Sequence, residues 1–171
     1  PSASKKPEIS YSEFMSAGGR EATTAAEEAI DRIGKLFAER GRLFSEAESV
    51  RKERREAETY AGIDSLFSAF KDTAHTSARL GKIPLSRREK LEAGFAALPL
   101  AVCETKAVGD VCTAAAFFHK SAAAEAEALL GEAEFEACPF TEEISGREKA
   151  RSLLEKEREI GREIAANEYA V

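Results

Sequence analysis

Apolar residues return along this chain at steps of three and four. Ala26, Ile30, Ile33, Phe37 and Phe44 share one face of a 3.6-residue period, with Leu36, Leu43 and Val50 beside them at the seven-residue spacing of coiled coils. Thr24 and Glu27 are placed as a capping box, in which each side chain satisfies a backbone donor of the opening turn, so a helix is expected to start near Thr24. Gly34 and Gly41 weaken that helix but let a neighbouring backbone come close. The charged run RKERREAET, residues 51–59, holds no glycine or proline, and Tyr60, Ile63, Phe67, Phe70 and Ala74 then resume the stripe. One long helix from about 24 to 80 is predicted, with a solvated charged waist, ended by Gly81 and Pro84.

The rest of the chain reads in the same period. Ser86 and Glu89 form a second capping box opening a helix with Leu91, Phe95 and Leu98, interrupted by Pro99. Asp110, after Gly109, is placed as the N-cap of a helix running through Ala115, His119, Ala122, Ala126 and Leu129 or Leu130, and stopping by Pro139. Ser145 and Glu148 repeat the capping solution before a last helix with Leu153, Leu154, Ile160 and Ile164. PSASKKPEIS at the start reads as an extended tail, and YSEFM as a short helical turn stopped by Gly18 and Gly19. The expected fold is all-α: an up-and-down bundle of three to four helices with one very long helix, residues 1–19 forming an extended N-terminal tail and 20–171 the bundle domain.

Composition supports helices, since alanine, glutamate, lysine and arginine dominate and tryptophan is absent. A length of 171 residues suits one domain able to bury a core. The net charge of −6 disfavours nucleic acid, whose binding rests on cationic contacts to phosphate. No apolar run approaches the ~20 residues a spanning helix needs, which leaves peripheral association with a membrane complex as the membrane role open to it. A first residue of Pro1 suggests a processed or a trimmed chain, and processing would point to an organellar (mitochondrial or thylakoid-lumen) or secreted location.

Cys103 and Cys112 flank Gly109-Asp110, and a bridge between them would clip the loop joining two helices, worth roughly 2–3 kcal/mol; free thiols are the alternative. Cys138 lies at the far end of a helix ~37 Å long and is out of reach of Cys112. No C-x-x-C, no Glu-x-x-His, no G-x-S-x-G elbow and no phosphate-binding loop occurs, so no catalytic residue, metal or cofactor is expected. His119 reads as a structural histidine on an alanine-rich helix, and His75 shares a helix surface with Asp72.

Residues 110–143 carry eight carboxylates against Lys120 alone. Glu125, Glu127, Glu132, Glu134 and Glu136 thereby offer an acidic docking surface for a basic partner, or for this chain's own Arg40, Arg42, Arg51, Lys52, Arg54 and Arg55. Phe117 and Phe118 are adjacent, so one packs inward and the other meets solvent or a partner's groove. These features point to a non-catalytic structural or accessory subunit that docks onto other protein subunits of a larger complex, such as a respiratory, ATP-synthase or photosystem assembly. A secreted or surface-exposed helical-bundle protein recognising a ligand or receptor is the alternative.

Overall fold

The computed structural model describes residues 10–14 and 20–168. The chain divides into two compact units, one of Pro1–Glu48 with Glu159–Val171 and one of Ser49–Arg158. In chain order the elements are α1 (Tyr11–Phe14), α2 (Arg20–Thr59), β1 (Thr76–Pro84), α3 (Arg88–Ala97), β2 (Ala101–Val108), β3 (Val111–His119), α4 (Ala123–Glu132), β4 (Glu136–Ala137) and α5 (Gly146–Glu168). The chain is therefore mixed α/β, and the all-α bundle and coiled-coil expectation is overturned by a four-stranded antiparallel sheet in the order β2-β3-β1-β4. From β1 to β4 the succession is β-α-β-β-α-β, two interleaved split βαβ units in which each helix links parallel strands across an antiparallel third.

The expected long helix ends at Thr59, not near 80. Beyond it Tyr60, Phe67 and Phe70 belong to a looped segment that lies on the sheet, and residues 76–84 are a strand. The sheet was hidden from the periodicity because β1 and β3 are covered on both faces. A strand buried on both sides has no polar alternation and reads as a continuous apolar run. Residues 112–116 of β3 are all buried, and their three alanines look helical by intrinsic propensity. Here their small side chains let structure close over both faces of the central strand.

One face of the sheet, through Ile83, Cys112, Ala114, Ala116 and Phe118, packs on Leu91 and Phe95 of α3 and on Ala126 and Leu130 of α4. On the other, Leu80 and Ala115 meet Tyr60 and Phe67, flanked by Phe140 and Ile144. Gly81 is required at the β1–β4 crossing, where an added Cβ would lie 2.3 Å from the Glu136 carbonyl.

Capping resolves in three ways. Ser145 and Glu148 form the predicted box: the Ser145 N–H donates to Glu148 Oε2 at 3.0 Å and the Glu148 N–H to Ser145 Oγ at 3.3 Å. The second box does not form, because Leu85–Arg87 make a 3-10 turn and Arg87, not Ser86, precedes α3. Thr24 lies inside α2, which already begins at Arg20. Gly109-Asp110 does not cap a helix but closes a two-residue hairpin, with Val108 opposite Val111. A positive φ of 62° at Gly109, with none at Asp110, is the signature of a type II′ turn.

In the other unit Leu43 and Ile160 are buried. Among the described residues, a Cβ added at Gly34 or Gly41 would meet nothing within 4 Å, so no described segment packs against either glycine. The YSEFM turn is helical over Tyr11–Phe14, while most of the predicted tail lies outside the described residues.

Candidate docking surfaces

The acidic segment is distributed over α4, β4 and the turn between them, and most of it is paired within the chain. Glu127 accepts from Arg79 Nε at 3.0 Å, Glu132 pairs with Lys90 at 2.6 Å, Glu134 with Arg87 at 2.6 Å and Glu136 with Lys82 at 3.4 Å. The hydrogen bond from Lys90 holds the Glu132 carboxyl below the usual carboxylate range. Glu125 stands exposed in the first turn of α4. These are solvent-facing pairs, screened by water, that add little to stability. Their effect is to neutralise the surface with cations of β1, the 3-10 turn and α3. Of the basic residues named from the sequence, Arg51 and Arg54 both reach Glu157 of α5, at 2.9 and 3.0 Å, and the Arg51 bond foremost draws the Glu157 carboxyl down. Lys82 also donates to both oxygens of Glu56, and Lys149 pairs with Glu53 at 3.0 Å and Glu142 at 2.6 Å.

Cys103 and Cys112 do not bridge, and all three cysteines are free thiols. The reason is register. Cys103 lies opposite Ala116 while Cys112 lies opposite Ala107, four positions along the ladder. At about 3.3 Å per residue that is roughly 13 Å, twice the Cα separation a disulfide spans. Burial pushes the Cys103 thiol up to about 12, and burial likewise raises Cys138. Both stay protonated near neutrality and are poor nucleophiles. Close by, the Tyr60 hydroxyl is fully enclosed beside Cys138, with no hydrogen bond of ordinary geometry.

His75, just before β1, and His119, the last residue of β3, stack with ring planes 7° apart and centroids at 6.5 Å. His119 Nδ1 shares a 2.8 Å hydrogen bond with Ser121 Oγ. Among the described residues no group of three or more metal-ligating side chains occurs.

Phe117 and Phe118 split as adjacent strand residues must. Phe118 is buried with Phe95 under the helices, while Phe117 is 39% exposed on the opposite face and packs on Phe70 at 5.4 Å. Phe117 belongs to an apolar patch with Leu100, 72% exposed, and Val102, 52% exposed, at the start of β2. Leu100 sits at φ 56°, a left-handed conformation disfavoured for a branched side chain. A second apolar surface runs along α2, where Ile30, Ile33, Phe37 and Phe44 are 69, 43, 61 and 48% exposed. Its residues were visible in the sequence as the first stripe. The patch on β2 was not, although the Gly109-Asp110 pair between Val108 and Val111 is the turn signal of a hairpin.

No protein-family model and no curated relative matches the chain. Among solved structures it is similar to the crystal structure of the cytoplasmic N-terminal domain of subunit I, homolog of subunit a, of V-ATPase. The TM-score is 0.54 at 16% identity, over 88% of this chain and 51% of that one. The likeness is one of fold, and this chain spans about half the length of that structure.

Proposed function

We propose that this chain is a non-catalytic docking subunit, binding other protein subunits of a V-ATPase-like assembly through the apolar stripe of α2. The exposure of that stripe carries the reading. Four large apolar side chains at i, i+3, i+7 and i+14 occupy one helical face in water, an arrangement a chain gains by covering. Each such side chain contributes about 1.5–3 kcal/mol when fully buried, enough for a partner helix to hold the surface. The fold likeness to a domain of a V-ATPase subunit supports an assembly of that class. No helix among the described residues is long and apolar enough to cross a membrane, so contact with a membrane complex would run through its protein subunits. The protonated, partly buried thiols of Cys103 and Cys138 support a role without covalent chemistry.

The test is affinity purification of the tagged chain from its native cells, with co-purifying subunits identified by mass spectrometry. ATPase subunits are expected with the wild type and lost with Ile33→Glu/Phe37→Glu, whose circular dichroism and melting should match the wild type because both side chains are solvent-facing. A chain that emerges without ATPase subunits, or a variant that keeps them, would end the reading.

A further inference from the structure

β2 is an edge strand, and its hydrogen-bonding groups can be assigned to sides. The two-residue hairpin makes Val108 and Val111 a hydrogen-bonded pair, and the His119 N–H donates to the Leu100 carbonyl at 2.9 Å in the same phase. The backbones of Val102, Glu104, Lys106 and Val108 therefore bond inward to β3. Those of Ala101, Cys103, Thr105 and Ala107 point outward, and among the described residues they have no backbone partner. A free row of this kind is a template for another strand.

The side chains on this edge determine which strand. Val102, Glu104, Lys106 and Val108 share one face, and the pattern V-x-E-x-K-x-V is complementary to itself when reversed. We propose that two copies of this chain associate by antiparallel pairing of β2 with β2 about a twofold axis at Thr105, joining their sheets into one of eight strands. In that register Glu104 faces Lys106 of the second copy, twice by symmetry, and Val102 faces Val108, twice. These are the non-hydrogen-bonded pairs, whose side chains approach most closely. On the opposite face the strand itself contributes the small residues Cys103, Thr105 and Ala107, with the Thr105 hydroxyl held by Arg88 and Glu92 of α3 beside the seam.

Other twofold registers with the same hydrogen-bonding phase are poorer. Centring on Glu104 or on Lys106 sets like charges against each other. Centring on Ala107 sets Glu104 against Asp110, and centring on Cys103 sets Glu104 against Val102 and Lys106 against Leu100. Charge thus selects one register. Glu104 makes no ion pair among the described residues, and Lys106 reaches only the Gly62 carbonyl at 3.3 Å, so both are available. Val108 of the second copy would extend the apolar strip formed by Phe70, Phe117 and Val102, beside a groove of about 410 Å³. This inference does not rest on the ATPase reading.

Sedimentation equilibrium on the full chain tests it. The wild type is expected to dimerise. Glu104→Lys and Lys106→Glu each replace two attractive cross-strand pairs by repulsive ones, so each should weaken the dimer about tenfold or more. An equimolar mixture of the two variants restores both attractive pairs and should form a heterodimer, and Glu104→Lys/Lys106→Glu should again self-associate. Because the variants are rescued by each other, loss of fold cannot mimic the result. A wild type that stays monomeric, single variants that dimerise as tightly as the wild type, or a mixture that stays monomeric would each overturn the proposal.

Discussion

Tyr60→Phe should make this protein more stable, because the ring stays in its aromatic cluster and only the hydroxyl oxygen goes. Tyr60 is 0% exposed, and its hydroxyl is buried without a hydrogen-bond partner among the described residues. Leaving a buried hydroxyl unmatched costs about 1–3 kcal/mol relative to its hydrated state. Phenylalanine keeps the edge-on contacts to Phe67 and Phe140, at centroid distances of 6.0 and 6.3 Å. The substitution should therefore gain about 1–2 kcal/mol, or roughly 2–8 °C in Tm for a chain of this size. Urea denaturation followed by far-ultraviolet circular dichroism reads the first figure and a thermal melt the second. Tyr60→Leu is the contrasting case, since it discards both ring contacts and leaves a cavity, and should cost about 2–4 kcal/mol. A Tyr60→Phe variant that loses a kilocalorie or more would refute the reasoning, because the hydroxyl would then have a partner. The Cys138 thiol is the obvious one, and a double-mutant cycle with Cys138→Ala should give a coupling below about 0.5 kcal/mol if it is not.

Two further outcomes follow from the same contacts. Ser145→Ala breaks the reciprocal cap at the start of α5 and should cost about 1 kcal/mol in urea denaturation, with Glu148→Gln milder because an amide can still accept from the Ser145 N–H. Glu157, Glu142 and Glu148 all titrate lower in the folded chain than in an unfolded one, held down first by Arg51, Lys149 and the Ser145 backbone respectively. Their contribution is therefore complete above the unfolded carboxylate value of about 4.3 and is lost as pH falls through the folded values. Tm should drop on acidification through that window, and Glu157→Gln should flatten the drop while lowering Tm at neutral pH.

The sequence was legible where an element has one wet face. The first stripe, Ile30 to Phe44, marks a real helix, and Ser145 with Glu148 marks a real start, because both signals are local and depend on the 3.6-residue period alone. It was misleading at Ser86 and Thr24, where a capping pair is spaced correctly but the chain enters the helix elsewhere. The docking residues divide in the same way. Phe117 could be recognised as one of a pair pointing apart, whereas Leu100 and Val102 acquire their meaning from lying on an edge.

By itself, then, the amino-acid order determined the helices with a solvated side, the fact that adjacent phenylalanines point apart, and the excess of carboxylates in residues 110–143. Tertiary structure alone decided that VCTAAAFFH is a strand, since a segment enclosed on both faces carries no periodic trace of its neighbours. It also decided that the acidic run is met by Arg79, Lys82, Arg87 and Lys90, and that two cysteines nine residues apart are held out of reach by a strand ladder. Those outcomes depend on which distant segments are brought together, a property of the closed sheet that no local spacing encodes.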